Sequence, residues 1–231
     1  MTSGLTYGSG YTPAVGLIYD DSALVYISRL WNGIPVDGLV FHASLSSAGN
    51  LTNHGVTFAM DAALGQAVAY FDGSSYLSTL SNVLDAMLMQ GTWTFACWLY
   101  QTETSTIPYI YSMNLYWGWG FPNYNTQFRI HRSGSDLNLY TEDIASAWHC
   151  IVMTYYNEVA TVYIDGVSQG EIYADLVPES LDGWTHYIGS WQAGIQPLTA
   201  GSKMANVRFW NRVLNSTEIA ALAAEFTPSM S

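Results

Sequence analysis

Apolar and polar residues alternate over short runs along most of the chain. Segments rich in Val, Ile, Tyr, Phe, Trp and Thr are bounded by Gly, Asn, Asp, Ser or Pro, the signature of strands separated by turns. The pattern predicts about ten strands, over 38–43, 67–71, 92–100, 109–112, 127–131, 136–140, 148–156, 159–164, 186–188 and 203–210. Short strands so spaced point to two packed antiparallel sheets rather than a βαβ fold.

Two turns can be argued more closely. Asn157-Glu158 is a polar pair between two apolar runs, where the chain can reverse. Asp165-Gly166 is the dipeptide favoured where a two-residue turn needs positive φ at both central positions. The segment 159–164 should therefore be flanked by strands on both sides, with Val167 onward leaving as the third. One helix is predicted near the end. Asn215 reads as its N-cap and Glu218 completes a capping-box pattern. Ile219, Leu222, Ala223 and Phe226 form one apolar face, and Thr227-Pro228 ends the helix.

Residues 1–37 differ in texture. The first sixteen hold four glycines and little aliphatic content, and two short apolar runs follow around Asp20-Asp21. This segment reads as an N-terminal arm ahead of a main domain over 38–231. Glycine-rich termini become ordered only when something holds them, so the arm is expected to pack on the domain or, in the favoured reading, on a neighbouring subunit.

Composition narrows the function classes. The 231 residues carry 18 acidic and 6 basic side chains, a formal net charge of −12. A polymer of phosphates would be repelled, and no Lys/Arg cluster offsets that, so nucleic-acid binding is not expected. Aromatics at 15% with charged residues at 10% exclude intrinsic disorder. No apolar run is long enough for a membrane span. The N-terminus lacks the basic and apolar regions of a secretory signal, the pattern expected after removal of a leader or for a protein that reaches its site by assembly. Cys97 and Cys150 are too few for a disulfide framework or a zinc site of their own and read as small core residues, although a pairing between them stays open.

From about residue 38 to 226 the order of motifs resembles a laminin-G-like domain of the concanavalin A-like jelly-roll superfamily. The run from Gly38 to Leu45 is similar to that family's first strand, and Gly65 to Leu77 to its strand and turn ending in F-D-G-x-x-Y. Trp93 to Tyr100 resembles the strand with the core tryptophan. Trp148 to Tyr155 followed by Val162 to Val167 is the most specific element, and Ala205 to Leu214 with Ser216 to Leu222 resembles the closing strand and helix. The resemblance implies an all-β, two-sheet antiparallel jelly-roll sandwich with one short C-terminal helix. Its functional content is weaker, because these are core and turn residues and the same sandwich hosts many functions.

Glycosidases on a related jelly roll place carboxylates at alternate positions of one strand, and no such run occurs. Asp20-Asp21 and Glu142-Asp143 are adjacent pairs, which in a strand would face opposite ways. His149 beside Cys150 meets the same objection, and a thiolate would lack a cationic environment. The family often binds structural calcium, but the position where its closing strand commonly carries an acidic pair reads Ala205-Asn206. No cofactor is therefore assigned, and structural calcium, with Asp72 and Asp136 available on loops, stays open. The aromatic stretch Tyr116, Trp117, Trp119, Asn123 and Tyr124, with Trp191-Gln192 as a second group, is the candidate binding site. Three readings compete for it: sandwich core, subunit interface, and glycan contact, in which sugar C–H faces stack on rings and amides bond hydroxyls.

The function expected from these features is that of a non-catalytic structural or binding component on the outside of a particle. A bacteriophage virion protein, capsid-decorating or tail-associated, fits best. Its arm would contact copies of itself or other virion proteins, and its surface would touch glycans. The location is then virion surface or extracellular. The alternative is a stand-alone lectin or carbohydrate-binding module, and a glycoside hydrolase with a dispersed site is the least favoured.

Overall fold

The computed structural model describes residues 34–102, 107–114, 117–122, 125–132, 134–178 and 183–226. The arm up to residue 33, the helix stop at Thr227-Pro228 and the candidates Tyr116, Asn123 and Tyr124 lie outside these residues.

The strands in chain order are β1 (Leu39–Ala43), β2 (Thr52–His54), β3 (Thr57–Asp61), β4 (Gln66–Tyr70) and β5 (Tyr76–Leu80). A short helix α1 (Asn82–Leu88) precedes β6 (Thr92–Tyr100), β7 (Tyr109–Met113), β8 (Trp117–Gly120), β9 (Gln127–Arg132) and β10 (Ser135–Tyr140). Then come β11 (Trp148–Tyr156), β12 (Val159–Ile164), β13 (Val167–Tyr173), β14 (Thr185–Ile188), β15 (Lys203–Trp210) and the helix α2 (Ser216–Ala223). All strand pairs are antiparallel. One sheet has eight strands in the order β13-β12-β11-β6-β15-β4-β3 with β1 added on β15, and the other has seven in the order β10-β9-β8-β7-β14-β5-β2. This is the two-sheet antiparallel sandwich expected from the alternation.

The local signals held where they were strongest. Asn157 and Glu158 have φ of 50° and 63°, and Asp165 and Gly166 have 50° and 82°, so both turns use two residues of positive φ, and β12 lies between β11 and β13. The capping box forms: Asn215 accepts from the Thr217 and Glu218 backbone N–H groups, while the Glu218 carboxylate accepts from the Asn215 N–H.

Between the sheets, β6, β11, β12 and β15 contribute alternate residues to one core, whose centre is an aromatic stack. Trp93 stacks on Trp117, Trp119 and Tyr155 at centroid distances of 6.1, 5.6 and 5.1 Å. A second cluster lies on the outer face of the eight-stranded sheet. There Trp98, Cys150, Val152 and Trp210 are covered by Ile219 and Leu222 of α2 and by Ile34 from the incoming chain, whose Pro35 carbonyl accepts from the Trp210 indole at 2.8 Å.

Two readings left open by the sequence are decided here, both in favour of the core. Trp117 and Trp119 are 1% and 0% exposed. Their strand alternates indole with glycine, and the indoles point into the sandwich, so they belong to the core and cannot present a ring face to a sugar or a partner. Cys97 and Cys150 do lie on neighbouring strands, but both are free and buried, and they fall in different core clusters.

Candidate functional site

The outer face of the seven-stranded sheet carries the polar and aromatic groups left over once the core is filled. On β9, Phe128 and Ile130 point inward, which turns Gln127, Arg129 and His131 outward. On β10, Leu137 and Leu139 pack on the core, which turns Asp136, Asn138 and Tyr140 outward. The register sets Asp136 opposite His131, Asn138 opposite Arg129, and Tyr140 opposite Gln127. Period-two alternation on two paired strands thus builds a stripe of carboxylate, amide and phenol beside imidazole, guanidinium and amide.

These groups orient one another. The Asp136 carboxylate accepts from Arg129 Nη1 at 3.0 Å and is bonded to His131 Nδ1 at 2.7 Å. Arg129 Nε donates to Asn138 Oδ1 at 3.0 Å. Tyr140 is 80% exposed, the most exposed aromatic residue among the described residues. A flat ring next to oriented donors and acceptors is the combination that a pyranose or furanose needs, with its C–H face on the ring and its hydroxyls on the polar groups.

The middle of the same face is closed. β8 supplies only glycines outward, at Gly118 and Gly120. The loop after β14 folds back over them. Trp191 lies against Tyr109 at 4.9 Å and against His131 at 4.8 Å. Since Tyr109 pairs with Gly120 and His131 with Gly118, the indole must lie across β8. The loop is pinned: Ser112 Oγ donates to the Ser190 carbonyl and accepts from the Gln192 N–H, and the Tyr109 N–H donates to the Gln196 carbonyl. Burial, with the Asp136 charge adding to it and Arg129 opposing it, pushes the Tyr109 phenol up to about 12. Beyond the loop, His54 stacks on Tyr76 at 4.2 Å, and Tyr187 leans on Tyr76 at 6.0 Å.

The remaining candidates fall elsewhere. Trp191 is 8% exposed, so it forms a wall and not a stacking platform. Gln192 is half-buried in the same loop, at a φ of 50°. Asp136 is on β10 and ion-paired, not on a loop. Asp72 is in a turn, where the Ser74 backbone and hydroxyl and Ser75 hold its carboxyl down to about 2. Asn206 sits at a β15 bulge with φ of 52° and donates to Glu225, which also takes two bonds from Arg208. Glu142 and Asp143 lie between β10 and β11 and not within a strand, and Asp143 accepts from the Ala145 N–H. His149 bonds Asp165 at the β12–β13 turn, away from the Cys150 thiol, which burial pushes well above its usual range. Among the described residues no three His, Cys, Asp or Glu side chains gather as a metal-holding group, and no helix is long and apolar enough to cross a membrane.

A buried relay was not foreseen. Tyr111 is hydrogen-bonded to His186 Nδ1, and His186 Nε2 to Asp85 at 2.9 Å, with all three residues 1% exposed. It ties α1 to the seven-stranded sheet and meets no solvent. Arg129, His131, Asn138 and Tyr140 were also missed as site residues. The signal for them was present in the two predicted strands, as polar residues at every second position facing one another.

No curated protein sequence matches the chain significantly. Solved structures share its fold. Domain 4 of AbnA, a GH43 extracellular arabinanase from Geobacillus stearothermophilus, solved with arabinotriose, is 16% identical at a TM-score of 0.61, over 80% of this chain and 98% of that one. A Trypanosoma rangeli sialidase mutant displaying trans-sialidase activity is 17% identical at 0.60, over 82% of this chain and 33% of that one. The binding domain of botulinum neurotoxin serotype D/C is 13% identical at 0.59, over 83% of this chain and 53% of that one. The chain thus spans only about a third of the sialidase's length. A laminin-G-type family model matches residues 71–220, more than half of the sequence and all of the central strands, and the chain belongs to the concanavalin A-like lectin/glucanases superfamily.

Proposed function

We infer that this chain is a non-catalytic binding module that contacts glycans through the β9–β10 stripe. The observation that carries this reading is the exposed Tyr140 ring aligned with Asn138 and Asp136 on alternate positions of one strand, each polar group held by Arg129 or His131. The fold neighbour solved with arabinotriose supports a saccharide as the ligand class. The absence of chemistry in this reading is supported by how the acids are used. Asp61, Asp136, Asp165, Asp175, Glu218 and Glu225 each hold a cationic or imidazole partner of their own. A glycosidase instead needs two carboxyl groups facing one cleft.

The setting we infer is the outside of a larger particle, with a bacteriophage capsid-decoration or tail protein as the specific case and the N-terminal arm as its assembly contact. The far edge of the eight-stranded sheet favours this. Tyr156 and Tyr173 are 63% and 72% exposed and stand in one register row on either side of Val159, a pair of rings typical of subunit contacts. A stand-alone lectin would use the same stripe without that edge.

A glycan array probed with the full chain tests the binding. Hits that vanish in Tyr140→Ala and Asn138→Ala, with unchanged melting temperature, are expected; an array without hits overturns it. Light scattering tests the setting: a plain monomer at all concentrations favours the stand-alone lectin.

A further inference from the structure

The Trp191 loop decides which way a ligand can lie. It begins on β14 and touches His131 of β9 through the Trp191 ring, while Gly194 stands so close to Tyr76 of β5 that an added Cβ would be 3.1 Å from that ring. In strand order β9-β8-β7-β14-β5, this loop crosses five of the seven strands. A groove running across the sheet is therefore filled by the protein's own chain. The fixings described above, with positive φ at Gln192, Gly194 and Gln196, make the loop a built part of the surface.

Among the described residues, what stays open is the β10 side of the β9–β10 hairpin, six residues long or about 20 Å, where Asp136, Asn138 and Tyr140 are exposed while Gln127 and most of Arg129 on β9 are covered. Three register rows line it, and the Trp191–Tyr109 pair walls it on the inner side.

We propose, on the basis of the glycan-binding reading, that this site takes a short oligosaccharide laid along the hairpin and rejects chains that cross the sheet, with Trp191 as the residue that sets this specificity. Rejection by a filled volume is as much a determinant of specificity as any contact made. The indole lies against both Tyr109 and His131, the strand partners of Gly120 and Gly118, where a crossing chain would have to pass. Removing it leaves an aromatic-walled trough between Tyr109 and His131.

The test uses the full chain with linear arabinan-, galactan- and cellulose-derived oligosaccharides of one to six units, and sialyllactose. For whichever series binds, wild-type affinity is expected to level off after the first few units. In Trp191→Ala the longer members are expected to gain about tenfold over wild type while the shortest are unchanged, and Trp191→Phe is expected to keep the wild-type profile. Affinity that climbs steadily through the sixth unit in the wild type overturns the inference and leaves the glycan reading standing. If Trp191→Ala does not fold, the wild-type length profile alone decides. Failure of every probe to bind the wild type removes the glycan reading and this inference with it.

Discussion

Cys97 and Cys150 stand on paired strands one register step apart, since Cys97 is opposite Ile151 and Cys150 opposite Trp98, yet their thiols face opposite sides of the sheet. Cys97 belongs to the core between the sheets and Cys150 to the cluster under α2. A one-residue offset in a pleated sheet is enough to do this. Burial raises both thiols well above the usual range. In the native protein neither should react with a thiol-directed disulfide reagent, and both should react in denaturant. Rapid labelling of either under native conditions would contradict the burial.

The aromatic stack should dominate the stability of the sandwich. Trp93 and Trp119 are fully buried and share stacked and edge contacts with Tyr155, Phe95 and Phe209. Trp119→Ala is expected to cost ~3–5 kcal/mol in urea unfolding, and Trp98→Ala, in the outer cluster, a similar amount. A wild-type midpoint for Trp119→Ala would place that ring outside the core.

Gly120→Ala should be more harmful than an exposed glycine replacement. A Cβ there would fall 2.0 Å from the Pro108 carbonyl oxygen, which is backbone and cannot swing away. Either β8 separates from β7 or the chain at Pro108 moves, and both disturb Tyr109 under Trp191. Gly134→Ala, where nothing lies within 4 Å, is the control for general effects, though its φ of 85° carries its own strain. Circular dichroism melting of the two variants gives the comparison.

Acid should destabilise the fold in a window set by His42. Burial, followed by the charge of Arg208 and partly offset by Asn206, lowers this imidazole from 6.5 to about 3. Between those values the unfolded chain binds a proton that the folded chain does not. Stability is therefore full above about pH 6.5 and falls toward pH 3, with a slope of at most ~1.4 kcal/mol per pH unit from this group. Asp61 adds to the loss further down. Its burial opposes ionisation, but bonds from Lys203, the Leu64 N–H and Trp148 outweigh that and hold it below its usual range. Its contribution is present above about pH 4 and is lost as pH falls through its folded value. His42→Gln should flatten the upper part of the profile, and an unchanged slope would show that His42 is not the titrating group.

Much of the architecture could be read locally. The long strands β6, β11, β12 and β15 match their predicted bounds residue for residue: β6 and β11 are buried over most of their length and rich in apolar residues, and β12 alternates buried and half-buried positions in step with the pleat. Elements with weaker signals escaped. β2 and β3 are short and largely exposed, α1 has only seven residues behind its Ser81 cap, and the glycines of β8 conceal a strand within an aromatic run.

The sequence by itself determined the β11–β12–β13 meander, the positive-φ turn at Asp165-Gly166 and the capped final helix, because each depends on interactions within a few residues, and the alternation of its short strands gave the two-sheet class. Which rings face outward was decided only in three dimensions. Trp117, Trp119 and Trp191 have the same side chain as any surface tryptophan. A facing sheet buries the first two, and a loop folded back over bare glycines buries the third. Tyr140 was left to solvent because it lies on an edge strand that nothing in the described chain covers. Burial is a property of what packs on a residue from far along the chain, and no local pattern contains it.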